Sequence, residues 1–389
     1  MKKIILLLLL TSFACCTVSL LNASYDSTLQ KNLKIVLDDK FRAQMYIETI
    51  GKINVKFDLQ TRFTYFTSPD CQDCFLFTES NELTPYNCLP QNSCLVVGQF
   101  TNFQISKDYF ASGDIIDIPI KIQEIVLYLQ GVYHVKYIKP TSLSPQIYES
   151  QRIGLLMYSI PNIRLESQII LSLFNQGKID KLGYSIYYQE DSYHLMIPGF
   201  DTQLVYQPFY NLTQVGHLYY NETIINNFNA QLLFCKQQLN SSEIVVNFDP
   251  AIDDSIFQFD NHRLDNFKQI IDEKRIQPDM SLFTTDQPGK WSYLVNDFTF
   301  DINLLVDQSG DFPKKQFLEL NYTSQQFMEQ KDNYFTPKLK FLNLDNQDFL
   351  PLGKRVFSKY LQYTYQDENR NYKYALTPLK PKKQLRQVS

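Results

Sequence analysis

Val55-Lys56-Phe57-Asp58 returns, with one change, as Val246-Asn247-Phe248-Asp249. Each copy alternates apolar and polar side chains, the period of a strand with one buried face, and each delivers an aspartate to the strand's end. The echo continues downstream. Ile153-Gly154-Leu155-Leu156 follows the first copy and Phe349-Leu350-Pro351-Leu352-Gly353 the second, at similar intervals. A chain of two equivalent halves, each presenting one carboxylate, predicts an acid–base site where the halves meet. The length of 389 residues agrees, because it exceeds what a single hydrophobic core usually serves.

Short alternating runs dominate the rest: 52–58, 115–122, 125–129, 184–188, 244–248 and 298–305. Turn residues separate them at close intervals, which predicts antiparallel pairing over βαβ units. Two segments read as helix, 165–176 with Gly177 as a stop, and 263–274. The expected fold class is all-β dominated with a few short helices. The boundary between the halves is expected near Ile197-Pro198-Gly199-Phe200, giving lobes over 24–200 and 201–389. The second lobe ends in a short basic tail carrying Lys380, Lys382, Lys383 and Arg386, read as solvated.

The first 23 residues have the layout of a signal peptide: Lys2-Lys3, an apolar run from Ile4 to Leu10, then small residues around Ala14 to Ser19. A retained membrane anchor is the alternative, although the run is short for a span. Secretory entry changes how the cysteines read. Cys71, Cys74, Cys88 and Cys94 cluster in one stretch and imply two disulfides, with three connectivities open, leaving Cys235 buried and unbridged. The Cys71–Cys74 spacing is redox-like, but no thioredoxin-like βαβ pattern surrounds it, so a structural staple is expected. Sequons at Asn211, Asn221, Asn240 and Asn321 fit a glycosylated surface. The net charge of −4 argues against a nucleic-acid partner. His134, His194, His217 and His262 show no ligand spacing, so no metal or other cofactor is expected.

In this order the pieces resemble a pepsin-like aspartic protease, from about Ile47 to Ala375. Ile50-Gly51 with Ile53, Val55 and Phe57 resembles the strands leading to that family's first Asp-Thr-Gly. Asp58 to Cys71 spans the family's interval from catalytic Asp to first loop cysteine, with Tyr65 in the place of its Trp and Ser68 on its Ser. Phe100, six residues past Cys94, resembles the flap tyrosine. Asp108-Tyr109-Phe110 and Asp114 resemble the strand after the flap. Ile153 to Tyr158, Leu173 to Ile179, Tyr184 to Tyr187 and Tyr365 to Ala375 resemble later family segments.

The resemblance implies a bilobal fold with an interlobe cleft, and Asp58 and Asp249 as a dyad holding a water for peptide hydrolysis. Thr61 would support the dyad and Phe100 would stand in the flap. It also exposes departures. Gln60 stands where the family's Gly permits a tight turn, and Pro250 has no amide hydrogen. Ile252 lacks the expected hydroxyl, Phe100 lacks the flap hydroxyl, and Met157 falls on a supporting Gly. Arg62 adds a cation near Asp58. A second register would use Asp253 or Asp254, before Ser255. About Ser24 to Lys40 precede the first expected strand, a segment that reads as too short to plug a cleft as a pro-segment does.

The reading that follows is a secreted or endolysosomal homologue, weak or inactive in catalysis, that binds a peptide or protein partner in its cleft, as a monomer without a membrane span. The alternatives are an active acid endopeptidase using Asp58 and Asp249, and a structural surface glycoprotein.

Overall fold

The computed structural model describes residues 33–47, 51–59, 61, 63–77, 85–106, 109–141, 151–157, 168–206, 209–220, 223–238, 244–250, 257–260, 265–270, 279–284, 287–290, 299–306, 316–331, 334–337, 339–342 and 349–381. The described chain is mostly β-strand with short helices, as the alternating runs predict. No described helix is long and apolar enough to cross a membrane.

A six-stranded sheet is built from both halves by the same rule. In the first half, the hairpin Gly183–Gln189/Ser192–Ile197 takes Leu33–Leu37 against its second strand. In the second, the hairpin Tyr360–Gln366/Tyr372–Pro378 takes Tyr210–Asn211 against its second strand. The two first strands then pair with each other, Ile186 opposite Gln362 and Tyr184 opposite Thr364. Read from either edge, the sheet presents its strands in the same order.

Each half adds a seven-stranded sheet, and in each the aspartate-bearing strand pairs in parallel with the strand of the downstream echo. Gly51–Asp58 runs beside Gln151–Gly154, with Phe57 opposite Ile153 and Asp58 opposite Gly154. Ile244–Phe248 runs beside Phe349–Leu352, with Phe248 opposite Leu352. Each downstream strand is followed by a short helix, Ile169–Asn175 or Lys354–Lys359, and then by that half's hairpin. The echo in sequence is therefore a repeat in topology. Beside these parallel pairs most of the described ladders are antiparallel, as the close turn spacing predicts. A short repeated strand signal shows that two strands exist but says nothing about the direction of a partner far along the chain.

Burial explains the strands. Val55 and Phe57 are buried with the half-exposed Lys56 between them, and Val246 and Phe248 are buried in the same places, although Asn247 between them is buried as well. The principal core holds Phe57, Ile153 and Tyr193 from one half together with Phe228, Phe248 and Phe357 from the other. The helix expected over 165–176 is Ile169–Asn175, and 165–167 lie outside the described residues. Gly177 stops it as expected: φ is +64°, its N–H donates to Phe174 O and the next N–H, from Lys178, donates to Leu173 O. Of the second expected helix, 265–270 are helical and the remaining positions lie outside the described residues. The expectation that Ser24 to Lys40 precedes the first strand is corrected, because Leu33–Leu37 is itself a strand with Leu33, Ile35 and Leu37 buried.

Candidate site at the aspartate-bearing strand ends

Asp58 is set by its strand. Phe57 is anchored in the core, so the next side chain turns to the opposite face, and the Asp58 carbonyl accepts the Leu155 N–H at 2.8 Å. In the parallel register Arg152 pairs with Lys56 and Gly154 with Asp58, which places Arg152 two residues back along the neighbouring strand, on the same face as Asp58. Its Nη1 donates to Asp58 Oδ2 at 2.8 Å, and both side chains are only 15% exposed. The guanidinium also lies over the Tyr65 ring, 5.6 Å from its centroid. Tyr184, from the six-stranded sheet, has its phenol pushed strongly upward, first by complete burial and further by the Asp58 charge. One carboxylate of the expected dyad is thus held by a cation inside the fold.

Asp249 is placed by the equivalent strand, and its backbone is tied to the parallel partner. Its N–H donates to Leu352 O at 2.9 Å, which sets it beside Gly353 as Asp58 is set beside Gly154. The next residue, Pro250, has no N–H to give, and its carbonyl accepts the Tyr193 hydroxyl at 2.7 Å. Tyr193 belongs to the hairpin of the other half. Tyr374, from the second half's hairpin, returns the contact by donating to Met157 O at 3.3 Å. Each half therefore fastens the loop that follows the other's aspartate-bearing pair of strands.

The supporting residues take structural places. Thr61 is buried, its carbonyl accepts the Leu156 N–H at 3.0 Å, and its Oγ1 has no hydrogen-bond partner among the described residues. Phe100 sits in the strand Leu95–Ser106 and packs into an aromatic cluster, 4.9 Å from Tyr133 and 6.2 Å from Phe103. Phe103 stacks on Tyr133, and Phe63 meets both. Gln60, Arg62, Asp108, Tyr158, Ala251, Ile252, Asp253, Asp254 and Ser255 lie outside the described residues.

The disulfides are Cys71–Cys74 and Cys88–Cys94, one of the three open connectivities. Cys71 and Cys74 are fully buried, and Cys235 is buried and outside either bridge. Two disulfides are compatible with a secretory or extracellular setting. Asn211 is half-buried, with Oδ1 accepting from Tyr365 Oη at 3.2 Å, while Asn321 is exposed. Asn221 and Asn240 lie outside the described residues.

Among the described residues no group of three or more His, Cys, Asp or Glu could hold a metal ion. What the arrangement offers chemically is one ion-paired carboxylate, a second at the equivalent strand end, and aromatic side chains nearby in the first half. The residue the sequence reading misses is Arg152. An arginine directly before the apolar run Ile153-Gly154-Leu155-Leu156 was the available signal, since a cation drawn into the fold there needs a carboxylate within reach. No family model matches the chain, and no curated protein matches it.

Proposed function

We propose that the chain is a divergent pepsin-like aspartic-protease homologue of the secretory pathway that has lost peptide hydrolysis. It binds an extended peptide or protein segment in a cleft between its halves. The observation that carries this reading is the Asp58–Arg152 ion pair at the end of a strand that the second half repeats. Aspartic proteolysis needs two carboxylates that share a proton and hold a water. A guanidinium on Asp58 Oδ2 occupies one of the oxygens that would hold that water and already supplies a counter-charge to the carboxylate. The departures around Asp249 point the same way, because Pro250 cannot donate and its carbonyl is already bonded to Tyr193. Loss of preorganised donors costs on the order of 10²–10³-fold each in rate. The binding role draws on the way an extended segment adds to a β-rich surface through main-chain hydrogen bonds.

The test is incubation of the purified protein with a mixed peptide library between about pH 3 and 6, the range in which a shared-proton dyad works. The expected result is peptide retention without cleavage. Cleavage abolished by Asp58→Asn or Asp249→Asn would establish an active endopeptidase instead. Neither retention nor cleavage would favour the structural glycoprotein.

A further inference from the structure

His134 lies in the strand Ile125–Pro140, 3% exposed, with Nε2 2.8 Å from the carbonyl oxygen of Tyr86. A carbonyl only accepts, so Nε2 carries the hydrogen and Nδ1 of the neutral ring is a bare lone pair. That Nδ1 is buried without a hydrogen-bond partner among the described residues. Tyr86 belongs to the irregular segment 85–89, which runs into the Cys88–Cys94 bridge. The segment is fastened to the sheet on both sides of one residue: Tyr86 N–H donates to Thr67 O at 2.8 Å, and Tyr86 O accepts from His134. The Tyr86 ring packs edge-on to His134 at 5.9 Å and against Phe66 at 5.7 Å. Its hydroxyl is also buried without a partner, and burial, then the nearby Tyr128, pushes its pKa up to about 12.

We propose that His134 is an acid-sensitive latch, and that its protonation at Nδ1 loosens the Tyr86–Cys88 segment from the sheet. Protonation creates a buried N–H with nothing to receive it, and lifting the covering segment is the way to bring water to it. The charges facing the ring do not cancel this cost. Asp114 is opposite His134 in the neighbouring strand, but its Oδ2 is engaged by Lys136 Nζ at 2.7 Å. Asp70 lies in the turn beyond Thr67, Asp73 is on the short helix Gln72–Phe77 packed against the strand, and Lys136 itself opposes a second positive charge. Burial is the largest influence and holds the ring's pKa below its ordinary value, against the pull of the Tyr86 bond and Asp114. A folded pKa below the unfolded one gives stability that is full above about pH 6.5 and is lost as pH falls from there through the folded value.

The experiment is hydrogen exchange on the full chain at pH 7.5 and 5.5, corrected for intrinsic rates. Amides of 85–94 should gain exchange relative to those of Ser192–Ile197, by up to about tenfold per pH unit across the titration. His134→Gln keeps a donor near Tyr86 O but cannot titrate, and should abolish the difference. If that variant does not fold, the wild-type ring followed by NMR should titrate below 6.5. An unchanged pH response in His134→Gln, no response in the wild type, or a ring titrating at or above 6.5 would each overturn the latch.

Discussion

Asp58 and Asp249 end equivalent strands, each beside a glycine of a parallel partner, yet their surroundings differ. Asp58 is held through its side chain by Arg152 of its own half. Asp249 is held through its backbone by Leu352, and the turn after it by Tyr193 of the other half. The apolar positions of the two strands match, Val55 with Val246 and Phe57 with Phe248, because both face the same demand for burial. The polar positions do not match, because nothing in the packing of the sheets requires it. Topology repeats where the core dictates; charge is set separately at each end.

The sharpest break of that contrast is removal of Arg152. Arg152→Met leaves Asp58 without its cation in a site only 15% exposed, and should cost about 3–5 kcal/mol in denaturant unfolding. Asp249→Asn keeps the N–H to Leu352 and the shape of the side chain, so it should cost less in the same measurement. Equal losses would mean that the ends are not held differently.

Activity gives the next largest effect. Restoring both motifs together (Leu59→Thr, Gln60→Gly, Pro250→Thr, Ala251→Gly, Ile252→Ser) should leave peptide hydrolysis undetectable while Arg152 remains. Adding Arg152→Met, which takes the guanidinium off Asp58 Oδ2, should raise it by at least about 10²-fold, the size of effect one preorganised electrostatic contact has on rate. Equal rates with and without Arg152 would show that the ion pair does not silence the site.

The cross-half tyrosines sharpen the comparison further. Tyr193→Phe leaves the Pro250 carbonyl without its donor and should destabilise by about 1–2 kcal/mol in the same unfolding measurement. Tyr374→Phe, at the longer 3.3 Å contact, should cost less. The reverse order would place the stronger tie at Met157.

The smallest effect tests acid response in the second half. Asp301 is buried in the strand Thr299–Val306, and its carboxyl is pushed above the usual range, first by burial and then by Glu319. With its amide turned to donate, Asn321 reaches both Asp301 Oδ1 and Glu319 Oε1 at 2.9 Å. A raised folded pKa means that the charged form is disfavoured in the fold, so stability rises as pH falls through that pKa. Asp301→Asn should therefore raise stability modestly at pH 7 and change little below about pH 4, where the unfolded carboxyl is also protonated. His134 in the first half carries the opposite sign. An Asp301→Asn variant with an unchanged pH–stability profile would remove that contrast.

Much of the fold was legible in the residues. The strands Gly51–Asp58, Gly183–Gln189, Ile244–Phe248 and Thr299–Val306 follow from alternation, and the stop at Gly177 from a residue suited to positive φ. Leu33–Leu37 alternates as clearly, but its partner, Ser192–Ile197, is remote in the chain and no local signal names it. The site was legible only in part. Asp58 and Asp249 could be read as matched strand ends, while nothing local marked Arg152, 94 residues further along the chain, as the partner of Asp58.

By itself, then, the order of residues determined which segments are strands, that two of them are equivalent, and which cysteines lie close enough in sequence to be bridged. Period-two burial and short-range closure are local properties, and local properties are written along the chain. The tertiary structure decided the parallel partner of each aspartate-bearing strand, the exchange of tyrosines between the halves, the Cys71–Cys74 and Cys88–Cys94 pairing, and the capture of Asp58 by Arg152. Each of these except the disulfide pairing depends on register between remote segments. There a shift of one residue turns a side chain to the opposite face, and so decides whether a guanidinium meets a carboxylate or solvent.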